Sequence, residues 1–188
     1  NCCDKCRKEF PDMPLVRYAT GGYICASPFP YDGIFRRAVL NFKFHNCGAY
    51  AELLSHEMVR SIKDVYRDRE FDLVTCVPMH KDTLRERGYN QAELLAKECA
   101  RLLGIEYADL LAKTKKNKTQ HSIKAAERAK NVIGVYSPID KNLIKGKRIL
   151  IIDDIITTGS TLGECARILN KCKCGEICCC TLCTSLLI

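Results

Sequence analysis

The stretch ILIIDDIITTGST at residues 149–161 constrains this chain more than any other. Ile149 to Ile152 form an unbroken apolar run, which suits a central parallel strand covered on both faces. Asp153 and Asp154 follow at its carboxyl end, where open α/β sheets bind ligands. Thr157, Thr158, Gly159, Ser160 and Thr161 then supply hydroxyls and closely spaced N–H groups. Gly159 is free to take a positive φ, and the segment opens a helix whose N-terminus favours an anion. Either half alone is an ordinary strand end or an ordinary turn. Together they predict a cradle for a sugar phosphate that needs no lysine.

The helix has support of its own. Leu162, Cys165, Ala166 and Leu169 recur at i, i+3, i+4 and i+7, and Thr161 with Glu164 has the spacing of a capping box. Upstream, Ile34, Ala38, Val39 and Phe42 give helical spacing over 31–45, and Leu53, Leu54, Met58, Val59 and Ile62 give it over 50–65. Both helices are expected to cover a sheet, with Lys43 read as a solvated lysine. Strands are predicted at 71–77, 148–153 and 176–184, and further helices at 89–103 and 161–171. This alternation specifies an α/β fold with a parallel sheet flanked by helices.

A nucleoside triphosphate P-loop is absent, which disfavours ATP hydrolysis of that type. The 149–161 stretch resembles the PRPP-binding signature of type I phosphoribosyltransferases, in which two acidic residues meet the ribose hydroxyls and the Thr-rich loop wraps the 5′-phosphate. A second block narrows the resemblance. Val77-Pro78-Met79-His80, followed by Arg85-Glu86-Arg87-Gly88-Tyr89-Asn90-Gln91, is similar to the VPLH and RERGFNQ blocks of the ComF family. A third block, Gln120, Arg128, Asn131, Gly134 and Tyr136, follows the same family's order.

The resemblance implies a phosphoribosyltransferase type I-like domain over 31–188, preceded by a cysteine-containing lead over 1–30. Asp153 and Asp154 become the catalytic pair, and Thr157 to Thr161 the 5′-phosphate loop. Val77, Pro78, Met79, His80 and Lys81 become a pyrophosphate loop, which in such enzymes often contains a non-proline cis peptide. The ligand implied is PRPP with Mg²⁺, and the reaction is transfer of phosphoribosyl to a nitrogen nucleophile. Purine salvage enzymes of this class place an acidic residue in the slot taken here by Thr157, so a purine acceptor is disfavoured. The resemblance also sets Lys43 in a block that approaches pyrophosphate.

Charge is unevenly spread. The formal net charge is +8, and residues 113–130 hold seven basic side chains against Glu127 alone. Lys113, Lys115, Lys116 and Lys118 lie in a polar run without hydrophobic period, where a flexible lid over PRPP belongs. The competing reading is a solvated charge run, and the same cations suit single-stranded DNA. Two functions therefore stand open. One is a catalytic phosphoribosyltransferase; the other is a PRPP-sensing or single-stranded-DNA-handling adaptor, with competence-machinery proteins as partners.

Fourteen cysteines raise the question of disulfides. Cys76 lies in a strand, Cys99 and Cys165 in helices, and Cys178, Cys179 and Cys180 alternate across the last strand, so they read as small apolar filler. Reduced thiols, no apolar run long enough to span a membrane and no leader predict a cytoplasmic protein. Cys3 and Cys6 form one C-x2-C knuckle, with Cys2 beside it and Cys25 further on. The alternatives are half of a structural zinc site, which the family often carries, and a reduced terminus without metal.

Overall fold

The structure, a computed structural model, describes residues 3–44, 49–115 and 132–185. A single turn α1 (Asp4–Arg7) precedes a hairpin, β1 (Leu15–Ala19) and β2 (Tyr23–Ser27), and a short β3 (Phe29–Pro30). Next come α2 (Gly33–Phe44), α3 (Ala49–Val65), β4 (Leu73–Cys76), α4 (Lys81–Arg87), α5 (Gln91–Leu103) and β5 (Glu106–Tyr107). β6 (Leu111–Lys113) pairs antiparallel with β7 (Tyr136–Pro138). The chain continues through α6 (Lys141–Ile144), β8 (Arg148–Ile156), α7 (Ser160–Lys171) and β9 (Glu176–Thr184).

The main sheet runs β1-β2-β9-β8-β4-β5, with β3 pairing to β9 beyond β2. Every pairing in it is parallel except that of β1 with β2. The sheet therefore takes in residues 15–30, which the sequence reading assigned to a separate lead. A boundary at residue 30 would cut through the fold.

Period-two alternation divides the core into two layers. Leu150, Ile152, Cys178 and Cys180 face α2, α3 and α5, where they meet Val39, Phe42, Met58 and Leu95. Ile149, Ile151 and Cys179 face the other way, against Leu162, Cys165, Ala166 and Leu169 of α7. Ile149 to Ile152 are wholly buried. Each such side chain contributes about 1.5–3 kcal/mol over an exposed one, so Ile151→Ala would cost about 2–5 kcal/mol. Eight cysteines, at 25, 76, 99, 165, 178, 179, 180 and 183, are buried free thiols. Burial raises the Cys25, Cys76 and Cys99 thiols to about 12.

Polar clamps hold the layers in register. Tyr66 on the segment after α3 is buried, and its hydroxyl lies 2.9 Å from the Ile24 carbonyl and 2.7 Å from that of Cys179, joining β2 to β9. At the amino end of β8, Arg148 donates to both oxygens of Asp72 at 2.8–3.1 Å and to Glu70 at 2.8 Å. Those bonds hold the Asp72 carboxyl well below the usual carboxylate range. Among the described residues no helix is long and apolar enough to cross a membrane.

Candidate functional site

β4 ends at Cys76, opposite Ile152, whereas β8 continues to Ile156 alongside β9. Asp153 and Asp154 thus lie just beyond the last β4 pairing, where the sheet opens, and successive residues turn to opposite faces. Asp154 meets Lys43 from the end of α2, Oδ2 to Nζ 2.7 Å, with both side chains about one-fifth exposed. Asp153 is half-buried and its Oδ1 accepts the Asp154 N–H at 2.8 Å. Burial, and then the neighbouring Asp154 charge, push the Asp153 carboxyl up to about 8, against the opposing pull of that N–H, Lys43 and Lys113. Lys43 is therefore no solvated surface lysine; it pairs with Asp154.

The loop after β8 closes a small cup lined by Asp153 and residues 155–162. Gly159 takes φ 73° and α7 begins at Ser160 with no side chain capping it. The Thr158 and Ser160 hydroxyls are 2.9 Å apart, and the Ser160 N–H donates to the Thr158 hydroxyl at 3.4 Å. The capping box expected of Thr161 and Glu164 is not formed. Glu164 instead pairs with Arg167 at 2.7 Å and accepts the Gly134 N–H at 3.0 Å. The start of α7 is left facing the cup, where backbone N–H groups and the helix dipole favour an anion. Two larger hollows lie by Tyr66 and Arg67 and by Cys3 and Phe35. Neither combines acids with an anion cradle, so size does not choose the site.

The Val77–His80 loop runs beside the acidic pair. The Val77 N–H donates to the Ile152 carbonyl at 2.9 Å, and the Asn90 amide donates to the Val77 carbonyl at 3.1 Å. Asn90 also caps α5, accepting the Ala92 N–H. His80 caps α4 by accepting from the Asp82 N–H. The cis peptide expected here is absent: all peptide bonds among the described residues are trans. Pro78 and Met79 are half-buried, while Lys81 is exposed.

The Arg85 to Gln91 block has a supporting place. Gly88 ends α4 with φ 86°, which explains its glycine. Arg87 donates to Gln91 at 2.7 Å, whereas Arg85 is mostly exposed and lies 4.0 Å from Asp82. Lys113 on β6 lies over the Tyr136 ring, and desolvation lowers its pKa although Asp153 pulls the other way. Lys115 is exposed. Lys116, Lys118, Gln120, Arg128 and Asn131 lie outside the described residues.

At the amino end, Cys3 precedes α1 and Cys6 sits within it. Hydrogen bonds from the Cys6 backbone and side chain hold the Cys3 thiol below its ordinary pKa. Cys25 is remote from this pair, buried in β2 with its sulfur 3.7 Å from the Thr181 hydroxyl, so it is no third ligand. Among the described residues no group of three or more His, Cys, Asp or Glu side chains is placed to hold a metal.

Residues 90–186 match the phosphoribosyl transferase domain family. The chain is 31% identical over 180 residues to competence protein F of Haemophilus influenzae, covering 93% of this chain and 75% of that one. The chain belongs to the ComF family of phosphoribosyltransferase-domain proteins. This ComF-family chain is also 31% identical over 176 residues to competence protein ComFC of Bacillus subtilis, covering 93% and 68%. Among solved structures, glutamine PRPP amidotransferase from B. subtilis aligns with the ComF-family chain at a TM-score of 0.49 and 20% identity, over 70% of this chain and 26% of that one.

Proposed function

We propose that this ComF-family protein binds PRPP with Mg²⁺ in the cup between β8 and α7 and transfers its phosphoribosyl group to a nitrogen nucleophile. What carries the reading is the meeting of two acidic side chains, a helix N-terminus with glycine as its N-cap and the Val77–His80 loop at one end of the sheet. Asp153 and Asp154 accept hydrogen bonds from the ribose hydroxyls and fix the ring. The N–H groups and hydroxyls of Thr157 to Thr161 hold the 5′-phosphate. The Val77–His80 backbone faces the leaving group, and Lys113 approaches from the β6–β7 side. The C1–oxygen bond to pyrophosphate breaks while the nitrogen lone pair forms the new bond and the nitrogen gives up a proton. Positioning and charge stabilisation supply the acceleration.

Two adjacent carboxylates are hard oxygen donors, too few for an all-protein cage and suited to a Mg²⁺ that substrate phosphates largely hold. Bound there, it would neutralise charge developing on pyrophosphate. Calorimetry tests the site. PRPP with Mg²⁺ should bind the native protein and fail to bind an Asp153→Asn, Asp154→Asn double variant; equal binding to both, or to neither, refutes the assignment. A second reading, a PRPP-sensing or single-stranded-DNA-handling adaptor without turnover, is favoured by the names of the two competence-protein relatives and by the +8 net charge. Pyrophosphate release across a panel of bases and amines separates the two. DNA binding that weakens with salt and occurs without any such release would favour the adaptor.

A further inference from the structure

The β1–β2 hairpin turn sits flush against the phosphate loop. The Thr20 N–H donates to the Gly159 carbonyl at 3.2 Å. A Cβ on Gly159 would lie 2.7 Å from the Ala19 Cα, and one on Gly163 would lie 2.3 Å from the Thr20 carbonyl oxygen. Both glycines are therefore demanded by the approach of the hairpin, Gly159 by its positive φ as well. A second tie runs close by: the Arg17 guanidinium donates to the Ser185 carbonyl at 2.5 Å, and the Ser185 N–H donates to Ile156, the residue before the loop. The hairpin itself is held by its five-residue ladder and by Tyr66 through Ile24.

We propose that the β1–β2 hairpin is a positioning element of the phosphate loop, with Thr20 as its contact residue. The inference rests on the proposed phosphate site and assigns the orientation of that site to a segment at the other end of the chain. The Gly159 carbonyl accepts from the Gly163 N–H at 2.9 Å within the helix and from Thr20 across to the hairpin, so Thr20 adds a second tie that fixes the peptide where the loop enters α7. Thr20 touches no ligand in this scheme. Its effect passes through Gly159.

The turn geometry allows a clean test. The Gly22 N–H donates to the Ala19 carbonyl and Gly21 has φ 95°, so Thr20 occupies the second position of a type II turn, where proline is favoured. Thr20→Pro deletes the N–H and keeps the turn; Thr20→Ser keeps the N–H. Ribose 5-phosphate is the probe, titrated by calorimetry, with hydrogen exchange of residues 157–161 measured on ligand-free protein. Thr20→Pro should weaken ribose 5-phosphate by about 5–10-fold, the scale of one hydrogen bond, and speed exchange in the loop. Thr20→Ser should match the native protein in both. Gly163→Ala, which drives the hairpin off, should act in the same direction even if Thr20→Pro fails to fold. Native affinity and native loop exchange in a folded Thr20→Pro or Gly163→Ala protein would overturn the proposal. If native protein does not bind ribose 5-phosphate, the phosphate reading fails, and the exchange measurement alone still decides whether the hairpin orders the loop.

Discussion

Asp153→Asn should flatten the dependence of folding stability on pH. Folded, the Asp153 carboxyl is raised to about 8 by burial and by Asp154 beside it; unfolded, it returns to about 3.9. Between these values the folded state holds a proton that the unfolded state lacks. Proton binding is thus greater in the native state, and stability falls as pH rises through the window. One proton limits the slope to about 1.4 kcal/mol per pH unit, so the loss from pH 5 to pH 7 is at most about 2.7 kcal/mol. Asparagine retains an oxygen to accept the Asp154 N–H and cannot titrate. Urea unfolding of the two proteins at intervals from pH 5 to pH 8 should give curves that diverge, the variant gaining on the native protein as pH rises. Lys43→Met removes a cation that favours the charged form, so its curve should keep falling above pH 8. Native and Asp153→Asn curves that run parallel across the whole range would refute the argument.

Tyr66→Phe removes the hydroxyl that serves Ile24 and Cys179; chemical denaturation should show a loss of about 1–2 kcal/mol, and Tm should fall by about 3–6 °C. Asn90→Ala loses the α5 cap and the tether to Val77 together, so stability should drop by about 1–2 kcal/mol with faster hydrogen exchange at residues 77–80. Asp72 has a depressed pKa from Arg148, so its contribution is present above the unfolded value and is lost as pH falls through the folded one. Asp72→Asn should therefore lower stability at neutral pH and converge with the native protein in acid, as read by thermal melts between pH 2 and pH 7.

The elements legible in the sequence are those whose neighbours are implied by their own residues. Ile149 to Ile152 must be covered on both faces, and α7 carries its apolar stripe within four turns, so strand, loop and helix appear where the pattern puts them. The alternation of Cys178, Cys179 and Cys180 between two core layers was readable for the same reason. Contacts made across the chain were not. Nothing local to α2 reveals that Lys43 will meet Asp154, since an amphipathic helix looks the same whether its lysine meets water or a carboxylate. The β1–β2 hairpin did leave a signal, Gly21-Gly22 between two β-prone runs. The nearby C-x2-C knuckle drew those residues into a lead. β5 and β6 are too short to show a period, and Glu164 has capping-box spacing but is engaged by Gly134 from the far side of the 113–130 segment.

The buried thiols have a kinetic consequence. With Cys25, Cys76 and Cys99 at about 12 and the thiols of the last strand also raised, almost none of these sulfurs is a thiolate at neutral pH, and none is open to an alkylating reagent. Their inertness belongs to the fold. Once the chain opens, each reverts to an ordinary value of about 8.5 and becomes a nucleophile. Iodoacetamide labelling at those eight buried positions, as distinct from the exposed Cys3, would then mark every molecule that has unfolded, so the labelling rate there records how often the native state opens. The same property makes opening hazardous in an oxidising solution: a chain that unfolds there exposes eight thiols at once, and any disulfide formed among them traps a sheet that can no longer close.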